Sequence, residues 1–595
     1  MKKLLLPLLL ALGASALPAQ QPADPSFGDA VDVTVVNIDV YVTDKAGNRV
    51  NGLRKEDFVV LEDGKPVQIT NFEAVHGSSA PSPAPAAPAP PQPQETPAPP
   101  AAPANPENGL SLVVFVDNLH IRPDKRARAL EQIRKFLAES VQPGDRVMLA
   151  SHELGLQTRQ AFTDDPAAID AALKEIERLP SFGIQGTTAR REAMRTMLAL
   201  YGLQGCDFDI AVPVDSFAGQ MRDQALKTLS ALTLLVNSLS GVPGRKAVLY
   251  VSDGLPITPG EELFQALFEL CSGGASMAGL PIGGSSGIEG GGGGRLAGGG
   301  DGGGGYPASQ ALLDAQQYNL AQRFTDLTAH ANAHRVTFYT LQSSGLGGFA
   351  AANADMDGDE GLFRLMTVQQ AQTANHQNSL NVMAADTGGR AMLDVNNFLP
   401  ELARMREDFT SYYSLGYNPT HLGGGKQHRI EVKVKRPGAR VRYRKSYRDK
   451  SLMERMADRT LAALFHGLED NPLAVSVEIG DQIPSEDGKF SVPVQLKIPI
   501  FKLALLNQEG SYHGKLRLLV TTKDAKGGIS PVRQVEVPLK ISRKDVLNAM
   551  GQHYLYTLTL KMAPGQQQVA VAVQDEVSAL TSYLSRSVTV GPAVA

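Results

Sequence analysis

Two apolar runs in this chain end on aspartates. The stretch VVFVDNLHIR reads as a buried strand that reaches Asp117, and KAVLYVSDGLP as another that reaches Asp253. Carboxylates at strand ends suit a hard divalent cation, which takes oxygen ligands. Gly186-Thr187-Thr188, expected in a loop between strands, offers hydroxyls that could join them. The positions beyond Asp117 that would complete such a site hold Leu119 and Ile121, which carry no ligating oxygen. Asp117, Asp253 and one threonine, with water, would hold Mg²⁺ only weakly. His120 could support a softer ion such as Zn²⁺. The plainer reading of the same residues is that Asp117 caps the following helix and Asp253-Gly254 makes a turn.

Other motifs carry less. Gly283-Gly284-Ser285-Ser286-Gly287 matches a nucleophile elbow but lies in a glycine tract, not between a strand and a helix. His152-Glu153 begins a zinc-protease pattern, yet Leu156 stands where the second histidine belongs. Asp355, Asp357 and Asp359 resemble the start of a calcium loop, but Glu360 replaces its glycine and Met366 its closing glutamate. A solvated acidic loop is the expected state. The basic run from Arg436 to Arg448 alternates with Val441 and Tyr443 and reads as the solvent face of a strand, with a polyanion site as the alternative. Cys206 and Cys271 are the only cysteines; they either pair or sit apart as small buried apolar side chains.

These residues must be positioned by elements whose periodicity is readable. Residues 31–42 alternate apolar and polar, the period of a strand with one buried face. Glu62-Asp63-Gly64-Lys65 is a hairpin signal between two short strands. Residues 31–76 are therefore a β segment, too short to be stable alone, and are expected to pair with a second β segment at 410–448. A Pro/Ala-rich linker fills 77–108. Strands and helices then alternate over 109–409: strands at LSLVVFV, RVMLASH, KAVLYVS, RVTFYTL and RAMLDV, with helices at 122–141, 166–179, 215–240, 309–334, 377–386 and 396–409. That alternation predicts an α/β, doubly wound, mostly parallel sheet covered on both faces. A Gly-rich insert (273–305) and a polar stretch (343–376) read as loops. A helical connector at 449–470 leads to about seven strand-like runs over 471–592, the pattern of an Ig-like β-sandwich.

The order of strand-Asp117, Gly186-Thr187, and strand-Ser252-Asp253-Gly254 resembles a von Willebrand factor type A domain. The resemblance extends to VTDKAGNRVNGLRKEDFVVLEDGKPVQITNF, GRKAVLYVSDGLP and TGGRAML…SYYSLGYNP…HRIEVKVKRPGARVRYRKSY. Over roughly residues 31–447 these segments are similar, in order, to the VWFA-related family abundant in Acidobacteria. The resemblance implies a von Willebrand A (Rossmann-like) fold in an exported bacterial protein. It also implies a metal-ion-dependent adhesion site built from a DxSxS motif, a threonine and a second aspartate, here Asp117, Thr187 and Asp253. Leu119 and Ile121 break that motif, so the site is expected to be degenerate, with Mg²⁺ or Mn²⁺ bound weakly or not at all and no other cofactor.

MKKLLLPLLLALGASALPAQ has the charged start, short apolar stretch and small-residue end of a signal peptide, taken as residues 1–19. No later run has the length of a membrane-spanning helix. The chain has 595 residues, 43% hydrophobic and 20% charged, with a net charge of −4, so it holds several cores and shows no basic excess for nucleic acid. The expected protein is exported, periplasmic or secreted, non-enzymatic, and binds a protein partner. The alternatives are a structural envelope protein without a ligand and a periplasmic hydrolase with an unrecognised site.

Overall fold

The structure, a computed structural model, describes residues 35–75, 110–345 and 366–591, apart from Leu154, residues 273–304, Leu422, Glu486, Glu509 and Lys526. The signal peptide, the linker, nearly all of the glycine insert with its Gly283–Gly287 motif, and the Asp355, Asp357, Asp359 triplet lie outside the described residues.

The first sandwich is built from both sides of the α/β domain. Its early strands are β1 (Val36–Thr43), β2 (Phe58–Glu62), β3 (Lys65–Val67) and β4 (Ile69–Val75). Its late strands are β11 (Tyr412–Tyr417), β12 (Gln427–Val434), β13 (Arg440–Arg442) and β14 (Ser446–Arg448). They form two four-stranded sheets, ordered β13-β1-β11-β4 and β14-β12-β2-β3. In each sheet an early strand pairs directly with a late one: Ile38 lies opposite Leu415, and Val60 opposite Val432. Inward residues of both sheets, Ile38, Val60, Leu415, Tyr417 and Ile430 among them, make one apolar core. At the β2–β3 hairpin Asp63 (φ 49) and Gly64 (φ 80) both take the left-handed conformation that a tight two-residue turn requires.

Between these halves lies a six-stranded sheet, ordered β10-β9-β8-β5-β6-β7. The strands are β5 (Leu110–Asp117), β6 (Arg146–His152), β7 (Leu156–Thr163), β8 (Arg245–Ser252), β9 (Val336–Gln342) and β10 (Ala391–Met392). All neighbours run parallel except β6 and β7. Every residue of β5 is buried, because both of its faces are covered. Leu112, Val114 and Val116 pack against α1 (Pro123–Ser140), α2 (Pro166–Arg178) and the helix Leu399–Thr410. Val113 and Phe115 face α4 (Val212–Ser238), α7 (Ala321–Ala333) and the helix Met366–Thr387.

A separate cluster holds a helical annex together. It packs α3 (Gly183–Gln204) and the start of α4 against α5 (Glu261–Cys271) and α6 (Ala308–Gln316). Cys206 and Cys271 form a disulfide within it, with Cα atoms 5.8 Å apart.

Several sequence expectations are corrected. Gly186-Thr187-Thr188 is not in a loop but in the first two turns of α3. Strand β7 was not anticipated. The helix expected over 309–334 is two, α6 and α7; the Asn319 side chain accepts from the Ala321 N–H at 2.8 Å and starts the second. The helix expected near 377–386 begins at Met366, so the last part of the presumed polar loop is helical.

The chain continues into the helix Leu452–His466, opened by a reciprocal cap between Ser451 and Glu454. This helix packs on the outer face of a second sandwich over 476–590, made of one four-stranded and one five-stranded sheet. No helix among the described residues is long and apolar enough to cross a membrane.

One buried carboxylate couples the first sandwich to the α/β domain. Asp408, on the helix Leu399–Thr410, has no exposed side-chain surface. Arg442 of β13 donates to both its oxygens at 2.8 and 2.9 Å, Arg49 also pairs with it, and the Tyr339 hydroxyl of β9 donates at 3.1 Å. Arg390 lies 3.4 Å away. Burial pushes this carboxyl up, but Arg442 and Arg49 outweigh it and hold it below its ordinary value. Arg442 and its neighbour Arg444 are therefore not on a solvent face, as the alternating basic run suggested; both are half-buried at the domain junction. Asp408→Asn leaves buried guanidinium groups without their counter-charge. We expect it to destabilise the chain by about 3–5 kcal/mol, measured as a shift of the first urea transition, with the second sandwich affected least.

Candidate functional site

The order β10-β9-β8-β5-β6-β7 reverses direction between β5 and β8, the place where an open α/β sheet forms a ligand crevice at its carboxyl edge. Asp117 ends β5, and Asp253 follows β8 directly. The structure therefore brings both aspartates to the crevice. The fold supplies the location; the side chains decide what it can do.

Asp117 is fully buried, and its oxygens are already engaged. The Tyr250 hydroxyl donates to Oδ2 at 2.6 Å, Ser252 Oγ donates to the same oxygen at 3.1 Å, and His120 Nδ1 lies 3.0 Å from it. Oδ1 accepts from the Leu119 backbone N–H at 3.2 Å. Tyr250 and Ser252 reach the same carboxylate because alternate residues of a strand share a face. Burial raises the carboxyl, but the facing His120 ring and the hydrogen bonds from His120 and Tyr250 outweigh it, leaving it below its ordinary value. Asp117 does not cap α1: the residue at that position is Arg122, with no side-chain cap. His120 spends its Nδ1 on Asp117, not on a metal.

The surrounding loop is fixed from several sides. Phe182 N–H donates to Asn118 O at 2.8 Å, and Gly183 N–H to Ile121 O at 3.2 Å. A Cβ on Gly183 would come within 2.6 Å of Ile121 backbone atoms, so that close approach needs glycine. Ile121 is fully buried in the core, while Leu119 is half-buried. Asp253 N–H donates to His120 O at 3.1 Å, and its carboxylate accepts from Ser343 Oγ at 2.5 Å. Burial raises the Asp253 carboxyl. Thr187, half-buried in α3, makes no hydrogen bond to either aspartate among the described residues.

The helix Met366–Thr387 then closes over the crevice. Asn375 Oδ1 accepts from the backbone N–H groups of Ile257 and Thr258 at 2.7 and 3.0 Å, and Ser379 Oγ accepts from Leu255 N–H at 3.1 Å. His376 Nδ1 donates to Gly254 O at 3.1 Å. A Cβ on Gly254 (φ 93) would meet His376 O at 2.4 Å. The residues at the edge thus do not fit the hard cation of a metal-dependent adhesion site. Both oxygens of the aspartate that should ligate it already accept from hydroxyl, imidazole or backbone donors, and the helix Met366–Thr387 is bonded to the segment that follows Asp253. Tyr250, Ser252, Ser343 and the helix carrying His376 were not singled out from sequence. Two hydroxyl residues alternating at the end of an apolar strand, just before Asp253, were the available signal.

A second concavity of about 600 Å³ lies where the α/β domain, the first sandwich and the helix Leu452–His466 meet. Arg245, Lys246, Arg335, Arg444 and Lys450 line it against Asp39 and Asp458. Burial, with nearby cations such as Arg335 and Lys450, lowers Lys246 to about 7.

No protein-family model and no curated protein matches the chain. Solved structures do. An aerotolerance-related membrane protein from Bacteroides fragilis is 9% identical over 51% of this chain and 98% of its own, with a TM-score of 0.23. The vWF domain of the type V pili tip protein Mfa5 from Porphyromonas gingivalis is 12% identical over 51% and 95%, with a TM-score of 0.22. Proximal thread matrix protein 1 from the mussel byssus is 10% identical over 51% and 48%, with a TM-score of 0.20. What the chain's own topology defines is a mixed α/β protein with a mostly parallel central sheet and antiparallel sandwiches beside it.

Two outcomes follow. Native-state binding at 100 times Kd would add about 2.7 kcal/mol of stability; millimolar Mg²⁺ or Mn²⁺ should leave the melting temperature of wild type unmoved, whereas Tyr250→Phe should cost about 1.5–3 kcal/mol by removing one of the hydrogen bonds to a buried charged acceptor. The second concerns acid. Burial lowers His376 to about 4 and His466 to about 4, and burial with the Lys450 charge lowers His334 to about 2. Each stays neutral when folded while the unfolded chain takes up a proton near pH 6.5, so stability is present above that pH and is lost on acidification. Below pH 6.5 the three should each contribute a slope approaching about 1.4 kcal/mol per pH unit, read from urea midpoints between pH 7 and 4.5. His376→Gln should flatten the slope by its own share.

Proposed function

We propose that this chain is an exported, non-enzymatic protein-binding protein whose von Willebrand A-like domain works without a metal at its strand-end crevice. The observation that carries the reading is the Asp117 carboxylate, saturated by Tyr250, Ser252, His120 and the Leu119 N–H beneath the helix Met366–Thr387. A crevice closed in this way has no open ligand position for a partner's carboxylate and no activated nucleophile.

A surface suited to such contact stands on the annex instead. Leu203 is 84% exposed, and Phe208 and Val212 are each 59% exposed, clustered in sequence beside the Cys206 bridge and flanked by Asp207 and Asp209. Exposed large apolar groups grouped together and rimmed by charge are the usual mark of a protein-contact surface.

The test immobilises the tag-free, leaderless chain and passes over it an envelope extract of the source organism, with Mg²⁺ omitted or supplied. We expect the same partner to be retained under both conditions, and Leu203→Asp with Phe208→Asp to reduce retention at least about tenfold, a loss of about 1.4 kcal/mol. Retention that requires Mg²⁺ would overturn the metal-independent reading. Turnover in a broad hydrolase screen would overturn the non-enzymatic one, and no specific retention would favour a structural envelope role.

A further inference from the structure

The first sandwich holds a cluster that neither the strand-end crevice nor the annex uses. Glu62 ends β2, His428 lies on β12, and His421 lies on the connection between β11 and β12. One ligating atom from each of the three can be chosen so that all lie within 4.8 Å of one another. The register explains the first pair: Ile430 is directly opposite Glu62, and His428, two residues along, shares its face. His421 completes the group, with Nε2 3.3 Å from Glu62 Oε1.

We propose that Glu62, His421 and His428 form a binding site for a zinc-class divalent transition metal that ties together the two chain segments of this sandwich.

Four observations support it. The donor set is two imidazoles and one carboxylate, which favours zinc-class ions over Mg²⁺ or Ca²⁺. Each histidine faces a carboxylate on its other nitrogen: Asp63 Oδ2 is 2.8 Å from His428 Nδ1, and Asp449 Oδ2 is 3.6 Å from His421 Nδ1. The His428 contact is a hydrogen bond of the kind that orients metal-binding histidines, whereas the Asp449 contact is a longer ion pair; His421 Nε2 is the nitrogen turned toward Glu62. Glu62 is held in place through Oε1 alone, which accepts from the Tyr417 hydroxyl at 3.0 Å and from the Tyr447 hydroxyl, whereas at Asp117 donors reach both oxygens. It is buried to 7% exposure, and His421 is its only ion-pair partner among the described residues, so a cation would supply a charge that no lysine or arginine supplies.

Bonds of about 2.1 Å in a tetrahedral site put ligand atoms about 3.4 Å apart, a spacing the His421–Glu62 pair already has. The rings of His421 and His428 are stacked, with centroids 3.8 Å apart and planes 13° from parallel. A shared ion lies in both ring planes, so loading requires one ring to turn. His421, 34% exposed and on an irregular connection, is the one free to do so. Three protein ligands leave a fourth position for water. The bond network would join β2, from before the inserted domain, to β12 and its lead-in, from after it.

The experiment uses the tag-free leaderless chain stripped by chelator, with Co²⁺ as the spectroscopic probe and Zn²⁺ as competitor. We expect one equivalent of Co²⁺ to give visible absorption bands of a four-coordinate site, Zn²⁺ to displace it, and millimolar Mg²⁺ to leave it in place. Zn²⁺ should raise the melting temperature of wild type. His421→Ala, at the most exposed ligand, should weaken Zn²⁺ more than about 100-fold, and Asp63→Asn, which alters only the orienting carboxylate, about 10–100-fold. Asp253→Ala should bind as wild type does, which separates this site from the strand-end crevice. If His421→Ala does not fold, shown by its far-UV circular dichroism, the Asp63→Asn affinity decides. The proposal is overturned if no stoichiometric binding occurs at micromolar Zn²⁺, or if folded His421→Ala or Asp63→Asn binds as tightly as wild type.

Discussion

A carboxylate taken out of water must have its charge and its lone pairs met inside the protein, and Asp117, Asp408 and Glu62 show three ways in which this chain does so. Asp117 and Asp408 have no exposed surface, and Glu62 has 7%. Leaving any of them unpaired would cost several kcal/mol. Each is met differently. Asp408 is surrounded by arginines, Asp117 by hydroxyls, an imidazole and a backbone N–H, and Glu62 by two tyrosines and a histidine. At least two partners come from distant segments in every case, so each carboxylate forces a tertiary arrangement that local propensity could not specify.

The placement of Asp408 and Asp145 also explains how one sandwich can be built from two pieces roughly 300 residues apart. Closing a flexible loop of that length costs about 5 kcal/mol beyond a constant term. The α/β domain removes most of that cost by holding its own ends together. Asp145 accepts from the Leu110 N–H at its entry and pairs with Arg406 on its exit helix, at 3.0 and 2.7 Å. Once those ends are close, β4 and β11 can pair without searching a long loop. The corollary is kinetic: four of the six strand pairings in the first sandwich are non-local, so it should form after the domain inserted in it.

Much of the fold was legible because its periodicities are strong. The all-apolar run of β5, the alternating run of β1 and the Asp63-Gly64 turn each have one favourable reading. The misses have physical causes. Strand β7, LQTRQAFT, is a largely polar edge strand recruited by pairing with β6, and nothing in its pattern demands burial. The start of α3 carries Gly183, Gly186 and two threonines, which read as loop residues; the helix forms there because Gly183 packs against the backbone of Ile121. The site was half legible. The strand-end positions of Asp117 and Asp253 follow from the pattern, but the saturation of Asp117 depends on which way Tyr250 and Ser252 face and on a helix more than 100 residues later. Glu62, His421 and His428 come from three separate places and have no motif spacing at all.

Leu119 and Ile121 alone do not account for the closure of the crevice. An open site with its hydroxyl ligands replaced by leucine and isoleucine would leave a solvated aspartate, which costs little. Asp117 is instead buried completely, and its charge is met by Tyr250 and Ser252 from β8 and His120 from the loop. Those donors in turn need Asp117, since a tyrosine hydroxyl and a serine hydroxyl buried without an acceptor carry their own penalty. Ile121 belongs to the same change, for it packs in the core with Val116 and Ile133 where a ligating serine would be a buried polar group. The helix Met366–Thr387 can lie over the crevice because nothing beneath it remains charged and unpaired. The aspartate at the end of β5 acts in this structure as an acceptor, and a single serine at position 119 or 121 would leave Tyr250, Ser252 and His120 on its Oδ2.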